Sequence, residues 1–309
     1  MTVPDVSIII VNWNTKDILR DCLNSIHRET QGIQFETILI DNASTDGSVE
    51  MIKKDFPQVI LIENQDNRGF AAANNQGMKI AQGRYVLLLN PDSVIEEGAI
   101  QKSISFADGY PSAGVVGIKT FFGDGQLQQN CFQYASILNL LISTIGLRNL
   151  FPKHRLWGRE RYMWWDYKSV KEVDVVTGCY MLVRREVLKE VGLMDEEYFM
   201  YGEEMDWCWR INNSGWKVVF YPQAQFIHYG GISSEQNPIN MRNESRKSFL
   251  RFIRKRQGIW AKYFALILLF VGGLYRLTYW VIRLIVPLNK KRPYVIRKIR
   301  ESLNHCLGA

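Results

Sequence analysis

The sequence predicts an α/β fold, with a doubly wound, mostly parallel central sheet and a C-terminal apolar helical tail. Three observations lead to this prediction. Over the first 120 residues short apolar runs alternate with helix-like segments, which is the element order of a mostly parallel sheet. The runs are apolar throughout, as in strands that are covered on both faces. Near the end of the chain, a long apolar stretch has basic flanks, which is typical of a membrane-associating helix.

Each element follows from its local pattern. Runs such as VSIIIV and YVLLL are short and uninterrupted, which favours buried strands, and the segments between them have helical patterns. An irregular stretch rich in aromatic and basic residues covers 121–172, and regular pattern returns at 173–183. The predicted strands are 6–11 (VSIIIV), 36–40, 59–62, 85–89 (YVLLL) and 217–221. The predicted helices are 15–27, 48–55, 71–82, 99–108, 185–191 and 203–213.

The charge balance favours an anionic lipid surface over nucleic acid as a partner. The chain has 38 Lys and Arg against 31 Asp and Glu, a net charge of +7, and much of the excess lies after Arg242. A basic block beside an apolar segment suits anionic lipid. The basic runs are Arg251, Arg254, Lys255 and Arg256, followed by Lys290, Lys291 and Arg292.

The cysteine pattern and the N-terminus both favour the cytosol for the catalytic part. The five cysteines are scattered and form no CxxC pair, so we expect neither a zinc site nor a disulfide framework, and a reducing compartment fits. The first apolar run, 6–11, is short enough for a buried strand. Asp5 and the polar residues after Val11 interrupt any signal-peptide core.

The tail at 260–286 is the most apolar part of the chain. Its uninterrupted core, 264–275, is too short to cross a bilayer as a helix. Lys262, Arg276 and Arg283 are 14 and 7 residues apart and so share one helix face. The pattern suits an amphipathic helix in the membrane interface, or a membrane span with buried or snorkelling charges. A helix packed on the protein core is the alternative.

Polar residues follow the first two predicted strands. Asn12 and Asn14 come after the first strand, and Asp41 and Asn42 come after the second. Ligands of open α/β sheets bind beyond the carboxyl ends of the strands, so these residues are candidates for contacting a nucleotide. Alternatively, Asp41 and its neighbours only form a turn and cap the next helix.

A second polar segment, ENQDNRGFAAANNQG, leads into the predicted helix at 71–82. Its small residues after Gly69 allow close approach of a ligand to the backbone, and a helix N-terminus favours a diphosphate. Arg68 adds a positive charge. The GxGxxG pattern of dinucleotide-binding enzymes is absent, which disfavours a dehydrogenase. The alternative is an ordinary strand-to-helix loop.

The motif LLLNPD places a carboxylate directly after a very apolar strand. Asp92 is a hard oxygen ligand, suited to a Mg²⁺ or Mn²⁺ ion that carries a phosphate. Alternatively, Asp92 caps a helix that follows Ser93.

The last motif, YGEEMDWCWR, crowds three carboxylates at the start of a predicted helix. Asp206 and Arg210 are four residues apart and can pair on one face. Glu203 and Glu204 then remain, either as a solvated acidic first turn or as a general base in an aromatic-walled pocket. His228 follows a predicted strand and precedes two glycines, which makes it a candidate metal ligand.

Together these segments resemble family 2 glycosyltransferases, and most closely the bacterial rhamnosyltransferase-like branch. The resemblance covers residues 6 to about 233, interrupted near 121–172. It rests on the ordered set SIIIVNWN, IDNASTDGS, NRGFAAANNQG, LLLNPD, VTGCYMLVRREVLKEVGLMDE, YGEEMDWCWR and IHYGG.

The resemblance implies a GT-A type, Rossmann-like fold and an inverting transfer that uses Mg²⁺ or Mn²⁺. Asp92 matches the last acid of the family's metal motif, in which Asn90 replaces the first acid, and His228 matches a position that completes the metal site. Glu204 matches the catalytic base, and Glu203 lies beside it as the alternative. The residues implied on the donor side are Asn12, Asn14, Asp41, Asn67, Arg68, Gly69, Asn74 and Asn90.

The predicted function is transfer of a sugar, with rhamnose as a candidate, from a nucleotide-diphosphate sugar to a saccharide or polyprenyl-linked acceptor. The reaction is placed in surface polysaccharide or cell-wall glycan synthesis, at the cytoplasmic face of the cell membrane, without nucleic acid. Residues 1–120 are expected to bind the donor, 121–240 to bind the acceptor and catalyse, and 241–309 to associate with the membrane. The alternatives are a nucleotidyltransferase-like enzyme and a non-catalytic membrane-bound scaffold of the same fold.

Overall fold

The computed structural model describes residues 3–231 and 238–285. The chain divides into two units, one of Met1–Tyr134 with Trp165–Met241 and one of Ala135–Trp164 with Arg242–Ala309. The basic residues Lys290, Lys291 and Arg292, together with Cys306, lie outside the described residues, as does the side chain of Arg283.

A ten-stranded mixed sheet forms the centre of the first unit. The strand order is β3-β2-β1-β4-β11-β6-β12-β5, with β7 added to β6 and β9 to β12. The pairs β3–β2, β2–β1 and β1–β4 are parallel, and β11 then runs antiparallel to both β4 and β6. The strands are β1 Val6–Asn12, β2 Phe35–Asp41, β3 Ile60–Glu63, β4 Tyr85–Leu89, β5 Ser93–Ile95, β6 Ala113–Phe121, β7 Leu127–Gln128, β8 Cys131–Phe132, β9 Lys171–Glu172, β10 Val175–Val176, β11 Tyr180–Arg184 and β12 Lys217–His228.

Helices cover both faces of the parallel half, as the apolar strands predicted. Ile8 and Ile10 share one core cluster with the inner face of α1, whereas Ile9, which alternates with them, faces α3. A Cβ on Gly77 would lie 2.7 Å from Ile9 Cγ2, so only glycine lets α3 pack this closely. The helices of this unit are α1 Lys16–Glu29, α2 Ser48–Asp55, α3 Gly69–Ile80, α4 Ala99–Asp108, α7 Arg185–Val191 and α8 Glu203–Asn213.

The predicted fold class is confirmed, but three local predictions differ from the structure. The segment 173–183 divides between β10, which pairs with β8 in a separate two-stranded sheet, and β11 in the main sheet. The last strand, predicted at 217–221, continues to His228, because a register shift between Tyr221 and Gln225 lets the strand pass Pro222. Residue 93 begins the strand β5, so the alternative of Asp92 as a helix cap is wrong.

The second unit is helical where it is described. It contains α5 Ile137–Thr144, α6 Leu147–Leu150, a short 3₁₀ helix at Arg159–Arg161, most of α9 Pro238–Gln257, and α10 Ile259–Ile285. Helix α10 packs against α5, where a Cβ on Gly272 would lie 3.2 Å from Thr144 Cγ2. Within the described residues, one segment, Ile259–Ile282, is long and apolar enough to cross a membrane by length and composition.

Candidate active site

The first polar cluster lies where β1 and β2 end. Asn12 and Asp41 are register partners, and both are buried. Asn12 Nδ2 donates to Asp41 Oδ1 at 2.7 Å and to Ser44 Oγ at 3.0 Å, while Asp41 Oδ2 accepts the Ser44 backbone N–H at 2.8 Å. Asp41 therefore forms a turn, as the plainer alternative predicted. A carboxylate accepts about four hydrogen bonds, so these oxygens keep capacity for a ligand.

Asn14 closes the same loop. Its backbone is left-handed, with φ 51°, a region that asparagine tolerates better than most residues. Its N–H donates to Ser44 Oγ at 2.9 Å, and its Oδ1 accepts the Thr45 N–H at 2.7 Å. These bonds fix the backbone between β1 and α1 beside the turn after β2.

The predicted donor loop is joined to this cluster through Asn42. Asn67 Oδ1 accepts from the Gly69 N–H at 2.9 Å and from Asn42 Nδ2 at 3.3 Å, and Asn42 Nδ2 also donates to Gly69 O at 3.2 Å. Arg68 is half-exposed and pairs with Asp66 at 3.4 Å. The structure thus brings Asn12, Asp41, Asn67 and Gly69 to one edge of the sheet.

The start of α3 is occupied by protein groups rather than left open. Gly69 has φ +78°, and a Cβ there would collide with the Phe199 carbonyl, so glycine is required for the approach of the 194–202 loop. The Phe70 N–H donates to Phe199 O at 2.8 Å. Two of the first N–H groups of α3, at Gly69 and Phe70, therefore already have protein acceptors.

Two neighbouring asparagines on α3 have different partners. Asn74 is buried and its Nδ2 donates to Phe70 O within the helix at 2.9 Å. Asn75 Nδ2 donates to Met194 O and to Glu196 Oε1, both at 2.9 Å, and its Oδ1 accepts the Met194 N–H at 3.1 Å. The loop that leads to the acidic motif is thereby tied to α3. The role of Asn75 was not predicted from the sequence.

The candidate metal residues meet because β5 pairs with β12. The antiparallel register places His228 opposite Ser93, next to Asp92. His228 Nε2 lies 3.2 Å from Asp92 Oδ1 and 3.2 Å from Asn90 Nδ2, and both Asp92 and His228 are buried. The structure therefore brings together Asp92 and His228, which the family resemblance implied as metal ligands, and Asn90, which it implied on the donor side.

Gln128 on β7 orients this histidine. Its Oε1 lies 2.9 Å from His228 Nδ1, a contact that is a hydrogen bond when Nδ1 carries a proton, and Nε2 faces Asp92 and Asn90. Asn90 Nδ2 can donate a hydrogen bond to an unprotonated His228 Nε2. The Asp92 carboxylate oxygen, which also lies beside Nε2, is itself an acceptor and cannot donate to it. A cation bound by both would stabilise Asp92 Oδ1 and an unprotonated His228 Nε2, which lie 3.2 Å apart.

The donor set fits a divalent ion whose other ligands come from phosphate and water. Asp92 supplies a carboxylate and His228 supplies an imidazole, a combination that suits Mn²⁺ and is acceptable to Mg²⁺. In residues 3–231 and 238–285, no group of three or more His, Cys, Asp or Glu side chains is arranged to hold a metal alone. The ion would therefore depend on a bound diphosphate for further ligands.

The acid pair lies at the first two positions of α8. Glu203 is buried, and its Oε2 has no hydrogen-bond partner in the part of the chain that the structure describes. Glu204 is partly exposed, and its Oε2 accepts the Gly202 N–H at 3.0 Å. Burial raises the pKa of both carboxyl groups, and the charge of Glu204 raises the pKa of Glu203 further.

The predicted pair of Asp206 and Arg210 is confirmed and holds the helix in place. Arg210 Nε donates to the buried Asp206 at 3.0 Å. Its other nitrogens donate to Val191 O at 2.9 Å and to Leu193 O at 2.6 Å. Because Asp206 is used in this way, Glu203 and Glu204 are the acids of the motif that remain for chemistry.

Replacing Glu203 by glutamine is expected to flatten the pH dependence of stability. Because the pKa of Glu203 is raised on folding, the folded protein keeps a proton on this carboxyl group at pH values where the unfolded chain has lost it. The free energy of unfolding therefore falls as the pH rises from the unfolded pKa of Glu203 towards its raised folded pKa. We expect the melting temperature of the wild type to fall more between pH 5 and pH 8 than that of Glu203→Gln. Glu50→Gln, at an exposed first-turn position of α2, serves as the control. If the melting temperatures of the wild type and Glu203→Gln changed in parallel with pH, this would contradict the burial of the Glu203 carboxyl group.

Comparison with known proteins gives one family and several relatives. The model described as "Glycosyl transferase family 2" matches residues 7–192, more than half of the chain. The N-acetylglucosaminyl-diphospho-decaprenol L-rhamnosyltransferase of Mycobacterium tuberculosis is 28% identical over 270 residues, which cover 82% of this chain and 85% of that protein. The minor teichoic acid biosynthesis protein GgaB of Bacillus subtilis is 32% identical over 40% of this chain and 14% of its own length.

A solved structure supports the fold. The mannosyltransferase from Pyrobaculum calidifontis, determined in complex with GDP-Man and Mn²⁺, superimposes with a TM-score of 0.56 at 15% identity. The match covers 99% of this chain and 87% of that one. At this identity the likeness concerns the fold alone.

Proposed function

The chain belongs to glycosyl transferase family 2, in its rhamnosyltransferase-like branch, and from this we propose that it moves a sugar, with rhamnose as first candidate, from a nucleoside-diphosphate sugar to a lipid-linked saccharide. The observation that carries the proposal is the pairing of Asp92 with His228 at the end of the sheet, in a chain that also places Glu203 and Glu204 at the start of α8. The product would enter a surface polysaccharide or cell-wall glycan.

On the donor side, we assign the nucleoside to the edge formed by the ends of β1 and β2. Asn12 and Asp41 are buried there, with acceptor capacity that the turn does not use up. Asn14, Asn67 and Arg68 belong to the loops that frame this edge, and Gly69 and Asn74 lie in the first two turns of α3. Because the first N–H groups of α3 already have protein acceptors, the half-exposed guanidinium of Arg68 is the better candidate for the diphosphate.

Asp92 and His228 would hold the divalent ion, Mg²⁺ or Mn²⁺, with Asn90 beside them. When bound, the ion neutralises charge on the diphosphate and so makes it a better leaving group. Gln128 keeps the His228 ring in the orientation that turns Nε2 towards Asp92. The residues of the chain thus fit a site in which the ion and the donor bind together.

Glu204 is the proposed general base. Glu204 is the less buried residue of the pair, and its Oε2 accepts one hydrogen bond, from the Gly202 N–H, whereas Glu203 is buried. Glu204 takes the proton of the acceptor hydroxyl as the hydroxyl oxygen forms its bond to the anomeric carbon. The bond between that carbon and the phosphate oxygen breaks on the opposite face, and its electron pair leaves with the nucleoside diphosphate. The transfer therefore inverts the anomeric configuration.

The acceptor assignment rests on a relative and on the tail. The mycobacterial relative is named for transfer to a decaprenol-linked sugar, and α10 of this chain is apolar over a length that could cross a membrane. We assign donor binding to 1–120, acceptor binding and catalysis to 121–240, and membrane association at the cytoplasmic face to 241–309. A lipid-linked acceptor would then be presented at the surface on which the enzyme is held.

Turnover with a panel of nucleoside-diphosphate sugars tests this function. Membranes that contain the full chain are supplied with Mn²⁺, a polyprenyl-linked saccharide and one labelled donor at a time. We expect release of a nucleoside diphosphate together with labelled sugar in the lipid fraction. Release of pyrophosphate would instead indicate a nucleotidyltransferase, and no turnover by a folded sample with any donor would favour a scaffold.

A further inference from the structure

The outer face of α5 is apolar and exposed. Leu138, Leu141 and Ile145 are three and four residues apart, so they share one helix face, and 43%, 37% and 56% of these residues are exposed. Ile142, which follows Leu138 by four residues and borders this face, is buried together with Asn139. The segment 137–147 contains no charged residue. A helix of a soluble protein normally has polar residues on its exposed face, so this arrangement indicates an interaction with an apolar surface.

This face belongs to the same helical unit as α10. Ala265, Leu268 and Gly272 form the buried stripe of α10, and Gly272 contacts Thr144 of α5. The large apolar side chains on the other side of α10 are exposed. They include Ile267, Phe270, Val271 and Leu274. The two helices thus pack on each other, with Gly272 against Thr144, and both leave apolar side chains uncovered.

Basic residues follow the apolar segment directly. Leu150 and Phe151 at the end of α6 are exposed, and the stretch 148–161 then contains five basic residues and one acidic residue. Within it, Arg148 pairs with Glu160 at 2.7 Å. An apolar segment followed by an excess of positive charge complements a bilayer with anionic headgroups, whereas a second copy of the chain would bring like charges together.

We propose that the apolar residues of 137–151, in α5 and α6, enter the apolar layer of an anionic bilayer beside α10 as a second membrane element. The proposal rests on the proposed function to the extent that α10 meets the same membrane. Helix α5 has 8 residues and is about 12 Å long, whereas the apolar layer is about 30 Å thick, so the segment enters one leaflet without crossing the bilayer. The basic residues at 148–161 then lie at headgroup level.

The proposal is tested by the depth of a dye attached to α5. The full chain with Cys306→Ser retains the four described cysteines, all of them buried, and receives a single Leu141→Cys that carries a nitrobenzoxadiazole dye. The protein is reconstituted in vesicles of phosphatidylglycerol and phosphatidylethanolamine. Quenching by doxyl-labelled lipid and quenching by aqueous iodide are measured. Leu127→Cys on β7 is the matched control, because Leu127 is also 37% exposed but lies in the first unit. Phe270→Cys reports on α10.

We expect the dye at Leu141 to show a several-fold higher ratio of lipid to iodide quenching than the dye at Leu127, and a ratio close to that at Phe270. Iodide access at Leu141 combined with lipid quenching at Phe270 would overturn the inference and leave the membrane role of α10 standing. Protection of Leu141 from iodide without quenching by doxyl lipid would also overturn it, in favour of a second protein copy. Iodide access at Phe270 would contradict the membrane association of the proposed function itself.

Discussion

Glu204→Gln is expected to reduce kcat by roughly 10²–10⁴-fold while donor affinity stays near that of the wild type. Glutamine keeps the size of the side chain and an oxygen that can accept the Gly202 N–H, so the start of α8 is preserved. What is lost is the ability to take a proton from the acceptor hydroxyl. Steady-state turnover and calorimetric binding of the nucleoside diphosphate separate the two effects.

The matched control for this variant is Glu186→Gln, at an exposed acid in the first turn of α7, and it should keep full turnover. Burial raises the pKa of Glu204, so in the wild type kcat/KM should rise with pH until the carboxyl group is ionised and then level off. Loss of donor binding in Glu204→Gln, with turnover lost in proportion, would assign the residue to the donor site and remove it as the base.

Asp92→Ala is expected to raise the Mn²⁺ concentration needed for half-maximal activity by at least roughly 10–100-fold. The variant removes the carboxylate that faces His228 Nε2 at 3.2 Å, and within the described residues no further cluster of acids and histidines replaces it. Titration of Mn²⁺ by electron paramagnetic resonance, with and without a nucleoside diphosphate, measures the loss independently of turnover.

Two controls accompany the Asp92 variant. Asp92→Asn keeps the shape of the side chain but not its charge. If Asp92 is a metal ligand, this variant should lose Mn²⁺ affinity as Asp92→Ala does, whereas if its role is purely structural, the Mn²⁺ requirement should return towards that of the wild type. Asp55→Ala changes an exposed aspartate at the last position of α2 and should leave the metal requirement unchanged. A wild-type Mn²⁺ titration curve for Asp92→Ala would exclude Asp92 as a ligand.

Local sequence patterns predicted the parallel half of the sheet and the acidic helix well. Strands such as β1 and β4 are uninterrupted apolar runs because helices cover both of their faces. Helix α8 was predicted with both of its observed ends, and its acidic first turn is a pattern that is common at helix N-termini. Asp206 and Arg210 also followed from helical spacing alone.

The parts that were missed depend on contacts between distant segments. Strand β6 was not predicted, since Gly114 and Gly117 interrupt its apolar run, and both glycines are needed there because a Cβ would meet Trp216 or Val176. Gln128 gave no signal either, because its bond to His228 exists only after β6, β7 and β12 have paired. The meeting of Asp92 and His228 was expected from the family resemblance, and its cause, the pairing of β5 with β12, is visible only in the structure.

The most direct test of the central claim is thermal stabilisation of the purified wild-type protein by a panel of nucleoside diphosphates, each with and without Mn²⁺ or Mg²⁺. The proposed site predicts that one nucleotide raises the melting temperature strongly, and only when the metal is present, because Asp92 and His228 supply too few ligands to hold the ion alone. No shift with any nucleotide in a folded sample would contradict a donor site at this edge of the sheet. A shift of equal size without metal would contradict the assignment of Asp92 and His228.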